Sequence, residues 1–221
     1  MNDGRNERVN TQLVLRNVPQ GLTEIDDFET REVALTDLEP GQVMVEAQFV
    51  GVEAALRLIV RDSDEFLFRV KPGDIVRGTV AGKVLESRDA SVKVGDAVLV
   101  GNGVQKYTVC DGAEVEKCDL EQAPLGAWLG GFGVSGLTAY FAVFSECKPQ
   151  PGQTVLINGA AGAVGSIAGQ LCKLAGARVI GLTSSKKKCD WLVNDLGYDI
   201  AINYNDGGWF QQLQDNAPDR L

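Results

Sequence analysis

Apolar and polar residues alternate in short stretches through the first 125 residues of the chain. This alternation is typical of strands with one buried face. It predicts strands at 12–16, 28–34, 43–47, 97–100 and 106–109. Glycine–aspartate turns, Gly73-Asp74 and Gly95-Asp96, precede the strand-like segments 75–86 and 97–100. Many short strands separated by glycine-rich turns predict a compact β-barrel.

The pattern changes near Pro124. The apolar run Gly133–Phe144 predicts a helix, which Pro149-Gln-Pro-Gly152 ends. Strands and helices then alternate: strands are predicted at 154–158, 177–183 and 199–204, and helices at 164–175, at 186–196 and from Trp209 onward. This order predicts βαβ units with a parallel sheet. The first two strands are apolar nearly throughout, so we expect both to be buried on both faces.

The predicted fold class is therefore α/β with a β-barrel. Residues 1–125 form the barrel domain, and residues 126–221 form a partial Rossmann domain, a doubly wound parallel fold. A full dinucleotide-binding sheet has about six strands, and only its first three are predicted before Leu221. We therefore expect the sequence to be part of a longer chain, with an unpaired strand edge in the half-sheet.

A glycine-rich turn connects the first predicted strand of the second domain to its helix. The turn is Gly159-Ala-Ala-Gly162-Ala-Val-Gly165. In such a turn the first glycine permits a tight bend, the second lets the backbone approach a pyrophosphate, and the third lets the helix pack on the sheet. Free amides and the positive end of the helix then face the phosphates, and Ser166 could add a hydroxyl. The strand–glycine–helix context predicts a dinucleotide site, although a turn that binds nothing is the alternative.

The end of the second strand of this domain distinguishes NADP from NAD. NAD sites usually place a carboxylate there for the ribose hydroxyls. Here the strand ends at Thr183, and Ser184, Ser185 and three lysines, 186–188, follow without a carboxylate. Hydroxyl and ammonium groups suit a 2′-phosphate, and lysine in a first helical turn opposes the helix dipole. The sequence therefore predicts NADP (NADPH), with a solvated helical turn as the alternative.

Composition excludes several other functions. A net charge of −9 without a basic stripe argues against nucleic acid and anionic membranes as partners. The chain has no histidine, which excludes Ser-His-Asp and Cys-His catalysis within it and disfavours a zinc site. Its five cysteines include no CxxC pair, which indicates reduced thiols rather than a disulfide framework. The polar start of the chain contains no signal peptide, so we expect a cytoplasmic protein.

Three motifs resemble those of a known family: Lys93-Val-Gly-Asp96, Gly136-Leu-Thr-Ala-Tyr140 and Ala160-Ala-Gly-Ala-Val-Gly-Ser166. Together they resemble the zinc-free medium-chain dehydrogenase/reductase superfamily, in its leukotriene/prostaglandin reductase and alkenal double-bond reductase branch. The resemblance covers essentially the whole chain, which matches about the first two-thirds of such an enzyme. It implies a GroES-like barrel followed by a Rossmann domain, with the active site in the cleft between the two.

The resemblance also implies roles for individual residues. Residues 162–165, which are Gly162, Ala163, Val164 and Gly165, would surround the pyrophosphate. Lys188 matches the lysine that holds the 2′-phosphate, Tyr204 a tyrosine near the adenosine, and Thr138 a threonine near the nicotinamide. Tyr204 could instead simply end a strand, and Thr138 could cap or pack within its helix.

Two departures from the family bear on the substrate. Where the family often has Asp-Pro-Tyr-Met-Arg, this chain has Glu53-Ala-Ala-Leu-Arg57, so Arg57 remains as a substrate residue and Ala55 replaces the tyrosine. The later strands and the tyrosine often credited with stabilising the enolate have no counterpart here. The Gly-His-Glu stretch of the zinc branch is also missing, so we expect no metal.

By this resemblance, the activity is NADPH-dependent reduction of the C=C bond of α,β-unsaturated aldehydes and ketones, with hydride delivered to the β-carbon. Hydrogen-bond donors would stabilise the enolate, and no residue of this chain is assigned as the catalytic acid or base. Two alternatives stay open: a zeta-crystallin-like NADPH quinone reductase and a truncated, non-catalytic NADPH-binding protein. The expected partner is a small enone, enal or quinone molecule. Whether the chain assembles as a homodimer is left open.

Overall fold

The computed structural model describes residues 9–61 and 69–217. The chain divides into two compact units, Met1–Leu129 and Gly130–Leu221. The polar start of the chain, from which the lack of a signal peptide was inferred, lies outside the described residues.

The first unit is built from antiparallel strands. β1 (Val9–Leu15) and β2 (Phe28–Ala34) form a two-stranded ribbon. A second sheet has the order β6-β3-β4-β5-β7. Its strands are β3 (Gln42–Val50), β4 (Val80–Ser87), β5 (Ala97–Val100), β6 (Tyr107–Asp111) and β7 (Glu116–Lys117). Buried valines from β3, β4 and β5 form its core. These antiparallel strands are consistent with the GroES-like β domain that the resemblance implies.

The segment predicted as strand-like at 75–86 differs from the structure. The strand begins only at Val80, where it pairs with Val50 of β3. Before it, Ile75 forms a single bridge with Val14, and the Val76 amide donates to the Leu13 carbonyl at 2.8 Å. These bonds run to β1 rather than to β3, so the segment joins the two sheets instead of extending one of them.

The described part of the first unit also contains two short α-helices, α1 (Leu56–Ile59) and α2 (Leu125–Leu129). Leu125 is buried in a cluster with Ala81, Ala97 and Cys118. Because α2 contributes to this cluster, the division between the units falls after Leu129, four residues beyond the boundary predicted from the sequence.

The second unit begins with a helix that changes its geometry. α3 (Val134–Phe141) is α-helical, and Ala142–Cys147 continues as a π-helical segment. Lys148 ends this segment with φ of 48°. The sequence predicted one uniform helix over 133–144. A wider turn cannot be predicted from apolar periodicity, since the same residue types occupy both geometries.

A three-stranded parallel sheet follows, with the order β10-β9-β8. Its elements are β8 (Thr154–Ile157), α4 (Ala163–Leu174), β9 (Arg178–Thr183), α5 (Lys186–Asn194), β10 (Ile200–Asn203) and α6 (Trp209–Asn216). This order matches the first half of a dinucleotide-binding sheet, and it confirms the partial Rossmann domain predicted from the sequence.

The central strand β9 is buried on both faces, as predicted. Val179 packs on one side in a cluster with Cys172 of α4 and Leu192 of α5. Ile180 packs on the other side in a cluster with Leu213 of α6. The same prediction was wrong for β8, whose four residues are all only partly buried. Among the described strands β8 pairs with β9 alone, so one of its edges stays open.

Within residues 9–61 and 69–217, none of the helices has the length and apolar character needed to cross a membrane.

Candidate functional site

The glycine-rich turn lies between β8 and α4, at the carboxyl end of the parallel strand. Gly159 has φ of +61°, a conformation that favours glycine. The Ala160 amide donates to the Leu182 carbonyl at 3.0 Å, which fixes the turn to the end of β9. Gly162 precedes the helix with extended backbone, and its carbonyl accepts from the Ser166 amide at 2.9 Å. The turn is therefore anchored at both sides.

Three amides at the start of α4, those of Ala163, Val164 and the buried Gly165, have no backbone acceptor in the described residues. Ala163, Val164 and Gly165 are the first residues of α4, where a helix has no carbonyl acceptors for its own amides. In the described part of the chain, no backbone carbonyl outside α4 accepts a hydrogen bond from these three amides. Gly162, Ala163 and Val164 are solvent-exposed. Free amides at a helix N-terminus suit a phosphate.

The third glycine allows a close approach of backbone to backbone. A Cβ at Gly165 would lie 2.5 Å from the Gly159 oxygen and 2.8 Å from the Ala160 Cα. Neither atom belongs to a flexible side chain, so any larger residue would displace the turn. The helix consequently begins directly against the strand end, as the sequence pattern predicts.

Several polar groups lie at the ends of β9 and β10. The Lys188 Nζ donates to the Ser184 hydroxyl at 3.2 Å. The Asn205 amide side chain donates to the Ser184 carbonyl at 2.8 Å. The Tyr204 amide donates to the Thr183 carbonyl at 3.0 Å, and residue Tyr204 is 42% exposed. Thr183 itself is buried, which leaves Ser184, Lys188 and Tyr204 to meet a ligand.

The other lysines of the cluster differ from Lys188. Lys186 forms an ion pair with Asp190 at 2.7 Å. Its hydrogen bond with Asp190 and the charge of that carboxylate raise the Lys186 pKa. The sequence pattern does not distinguish the three lysines 186–188. In the structure, however, the charge of Lys186 is paired with that of Asp190 within α5, because residues four apart lie on one helix face.

Thr138, expected near a nicotinamide, lies on α3. Its hydroxyl donates to the Val134 carbonyl of the same helix at 2.7 Å. The residue is exposed. A hydroxyl bonded to the carbonyl one turn earlier is a common arrangement within helices, and the assignment of Thr138 to a nicotinamide stays a prediction.

Arg57 lies in the first unit, on α1, beside an apolar cavity of about 290 Å³. Leu13, Phe28, Val60 and Val76 contribute apolar walls, while Glu53 and Arg57 contribute charge. An apolar cavity with a few polar groups at its edge suits a small apolar ligand with one polar end.

Clustered metal ligands are missing from the described residues, and Cys110 and Cys118 there are buried thiols. They contain no group of three or more cysteine, aspartate or glutamate side chains that could hold a metal ion, and the sequence contains no histidine. Burial raises the pKa of Cys110 and of Cys118 to about 11. Such thiols stay protonated near neutral pH and are poor nucleophiles.

Sequence reasoning missed one residue beneath the turn. Tyr198 is 2% exposed, and its hydroxyl donates to the Gly165 carbonyl at 2.6 Å. Tyr198 lies just before β10 and belongs to none of the sequence motifs. The helical spacing Gly165-x-x-x-Gly169 was the available signal, since two glycines four apart present a smooth helix face for a ring.

Comparison with known proteins agrees with this arrangement. Residues 11–118 match the family described as the N-terminal domain of oxidoreductase. Together with the half-sheet and its glycine-rich turn, this match confirms the resemblance that the motifs predict: the chain is similar to oxidoreductases that include the prostaglandin and alkenal reductases.

Individual relatives show how far the similarity extends. Prostaglandin reductase 1 of Oryctolagus cuniculus is 38% identical over 87% of this chain and 54% of its own length. The NADP(+)-dependent 2-alkenal reductase of Nicotiana tabacum is 31% identical over 89% of this chain and 59% of its own. The crystal structure of CurA from Vibrio vulnificus in complex with NADPH superposes with a TM-score of 0.88 at 27% identity, covering 95% of this chain and 62% of CurA. The chain thus spans a little over half the length of these relatives.

Proposed function

We propose that this chain carries the NADPH site of a reductase that acts on the C=C bond of α,β-unsaturated aldehydes and ketones. The observation that carries the proposal is the pairing of two features on adjacent parallel strands. Three free amides follow β8, and a lysine–serine pair, Lys188 with Ser184, follows β9. A pyrophosphate and a 2′-phosphate need these two kinds of donor.

In this proposal each polar group of the cofactor site binds a particular part of NADPH. The amides of Ala163, Val164 and Gly165 bind the pyrophosphate, while Ser184 and Lys188 bind the 2′-phosphate and Tyr204 lies beside the adenosine. Thr138 is assigned to the nicotinamide end by family resemblance alone, and its hydroxyl would have to leave the Val134 carbonyl to contact the ring. When bound, NADPH supplies the hydride.

The first unit would hold the substrate in the same proposal. The apolar cavity beside Arg57 suits the hydrocarbon part of an enal or enone, and the guanidinium can donate to a carbonyl oxygen. The names of the relatives support this substrate class, since prostaglandin reductase 1 and 2-alkenal reductase are among them. A relative from Escherichia coli, 29% identical, is named for the reduction of curcumin.

Cofactor binding by the 221-residue chain is the first test. NADPH titration followed by nicotinamide fluorescence should saturate, and Gly162→Val should abolish it because the added side chain occupies the space above the free amides. Gly207→Ala is the matched control, since a Cβ there meets nothing within 4 Å. Undiminished NADPH affinity in Gly162→Val would remove the phosphate-binding assignment.

Turnover is the second test. The loss of NADPH absorbance is followed with a 2-alkenal, an enone and a quinone at equal concentrations. Faster oxidation with the alkenal or enone supports the proposal. Preference for the quinone assigns the chain to quinone reduction instead, and tight NADPH binding without oxidation of any acceptor identifies a non-catalytic binding protein.

A further inference from the structure

The phosphate-binding turn lies against a buried phenol that none of the proposed tasks includes. Tyr198 lies between α5 and β10, and its ring packs on α4 in the cluster that contains Ala168 and Cys172. Its hydroxyl donates to the Gly165 carbonyl at 2.6 Å. Gly165 is also the last of the three residues whose amides are free.

The chain makes room for this ring at two glycines. A Cβ at Gly169 of α4 would overlap the ring and hydroxyl of Tyr198. A Cβ at Gly181 of β9 would lie 2.9 Å from the ring. Helix and strand therefore both lack side chains where Tyr198 inserts, and the ring is held between them. Burial raises the pKa of the phenol, so the hydroxyl keeps its proton and remains a donor.

The backbone on either side of Tyr198 is fixed as well. Its own amide donates to the Leu192 carbonyl at 3.0 Å, and the Asp199 amide donates to the Val179 carbonyl at 3.1 Å. The Asp199 carboxylate accepts from the Lys173 Nζ at 2.8 Å and from the Val179 amide at 2.6 Å. The phenol is thus presented to Gly165 from a rigid segment.

The Gly165 carbonyl belongs to the peptide unit that follows the three free amides. The other end of that unit, the Ser166 amide, donates to the Gly162 carbonyl at 2.9 Å. With the phenol at one end and Gly162 at the other, the peptide plane is fixed at both ends. Fixing that plane also limits the tilt of the preceding amides, whose directions decide how well they meet a phosphate.

We infer that Tyr198 is a positioning residue for the pyrophosphate: its hydroxyl holds the first turn of α4 so that the amides of Ala163, Val164 and Gly165 converge on the cofactor. The inference rests on the proposed NADPH site. It assigns to Tyr198 no contact with the cofactor, because the side chain is buried beneath the helix. Its effect should be confined to ligands that contain the pyrophosphate.

Tyr198→Phe is the direct test, because it removes one oxygen and keeps the ring between Gly169 and Gly181. The dissociation constants of NADPH and of 2′-AMP are measured by calorimetry for both chains. 2′-AMP carries the 2′-phosphate but no pyrophosphate. We expect Tyr198→Phe to weaken NADPH about fivefold, the effect of one buried hydrogen bond, and to leave 2′-AMP affinity unchanged.

Tyr107→Phe is the matched control, because Tyr107 lies on β6 in the first unit and contributes nothing to the turn. It should change neither dissociation constant. Thermal melts of each variant separate a local effect from a loss of packing. Equal loss of NADPH and 2′-AMP affinity, together with a lower melting temperature, would mean that Tyr198 is merely structural and would overturn the inference.

The remaining outcomes separate this inference from the proposed function. Unchanged NADPH affinity in Tyr198→Phe, with tight binding by the unmodified chain, overturns the positioning role and leaves the NADPH site intact. Failure of the unmodified chain to bind NADPH overturns the proposed function, and the positioning role with it.

Discussion

Lys186 and Lys188 carry the same charge two residues apart, yet they have different partners. The Lys186 Nζ lies 2.7 Å from a carboxylate oxygen of Asp190, while the Lys188 Nζ donates to the Ser184 hydroxyl at 3.2 Å. A hydroxyl leaves the lysine charge uncompensated, whereas a carboxylate cancels it. Lys188 is therefore the better candidate for attracting a 2′-phosphate.

Lys188→Ala should discriminate between the two nicotinamide cofactors. We expect NADPH affinity to fall at least about tenfold, because a charge-assisted hydrogen bond to the 2′-phosphate is lost. NADH affinity should hardly change, since NADH has no 2′-phosphate. Fluorescence titration of both cofactors measures the two effects.

Lys187→Ala provides the comparison for that experiment, since it removes the same charge from the neighbouring exposed position. Its effect on NADPH should be small and should weaken further with added salt, because exposed charges are screened. Equal losses for NADPH and NADH in Lys188→Ala would contradict the assignment to the 2′-phosphate.

At the residue scale the sequence predicted groups that belong to motifs and missed groups defined by packing. Gly162 and Gly165 follow from their spacing between strand and helix, because the glycine requirement is local. Tyr198 lies 33 positions from the carbonyl it binds, and no local pattern encodes such a contact. The assignment of Thr138 to a nicotinamide remains a prediction, with its hydroxyl engaged in its own helix.

Helix α4 depends on close packing against Tyr198. Gly169→Ala should destabilise the chain, although alanine is the better helix former by about 1 kcal/mol. The added Cβ would overlap the Tyr198 ring, and overpacking of this kind costs about 1–3 kcal/mol. The free energy of unfolding in urea should therefore fall.

Gly126→Ala is the corresponding change in a helix that has room. A Cβ at Gly126 in α2 lies 3.7 Å from the Phe49 ring, an ordinary contact distance. The unfolding free energy of the Gly126→Ala variant should equal that of the unmodified chain or exceed it by up to about 1 kcal/mol. A gain in both variants would show that the Tyr198 ring moves aside without cost.

Asp199 links α4 to β9 and makes stability depend on pH. Burial pushes its pKa upward, but hydrogen bonds from Lys173 and from the Val179 amide, with the charges of Lys173 and Arg178, outweigh burial and lower the pKa overall. A lowered folded-state pKa means that the stabilisation is present above the unfolded-state pKa of about 3.9 and is lost as pH falls through the folded-state value.

Asp199→Asn should therefore reduce the loss of stability in acid. Unfolding free energies measured from neutral pH down to about pH 3 should fall less steeply in the variant, which starts from a lower value at neutral pH. Asp195→Asn, which removes an exposed carboxylate of the same unit, is the control for the loss of one negative charge. Parallel curves for Asp199→Asn and the unmodified chain would exclude this contribution.

At the element scale the periodicity placed the strands and helices of the second unit within a few residues. The predicted helix 164–175 is observed as Ala163–Leu174, and the predicted strand 177–183 as Arg178–Thr183. Apolar strands and amphipathic helices have distinct periods, which makes them recognisable. The partial exposure of β8 was not recognisable, because it depends on which strands lie beside it.

For the whole chain, cofactor binding should appear as thermal stabilisation. A ligand at about one hundred times its dissociation constant adds about 2.7 kcal/mol, which raises the melting temperature by roughly 5–10 °C for a chain of this size. NADPH should produce this shift, and NADH at the same concentration should produce a smaller one. Equal shifts, or none, measured by differential scanning fluorimetry would contradict an NADP-selective site.

The sequence by itself determined the class of this protein: a β domain of short strands, a half-sheet with a glycine-rich turn, and no carboxylate after the second parallel strand. These features are local, since each depends on residues within one turn or one βα unit. The tertiary structure alone decided which strand has an open edge, and that a phenol from the β10 side donates to a carbonyl in the first turn of α4. Those outcomes depend on contacts between residues distant in sequence or on side-chain geometry, and periodicity carries no information about either.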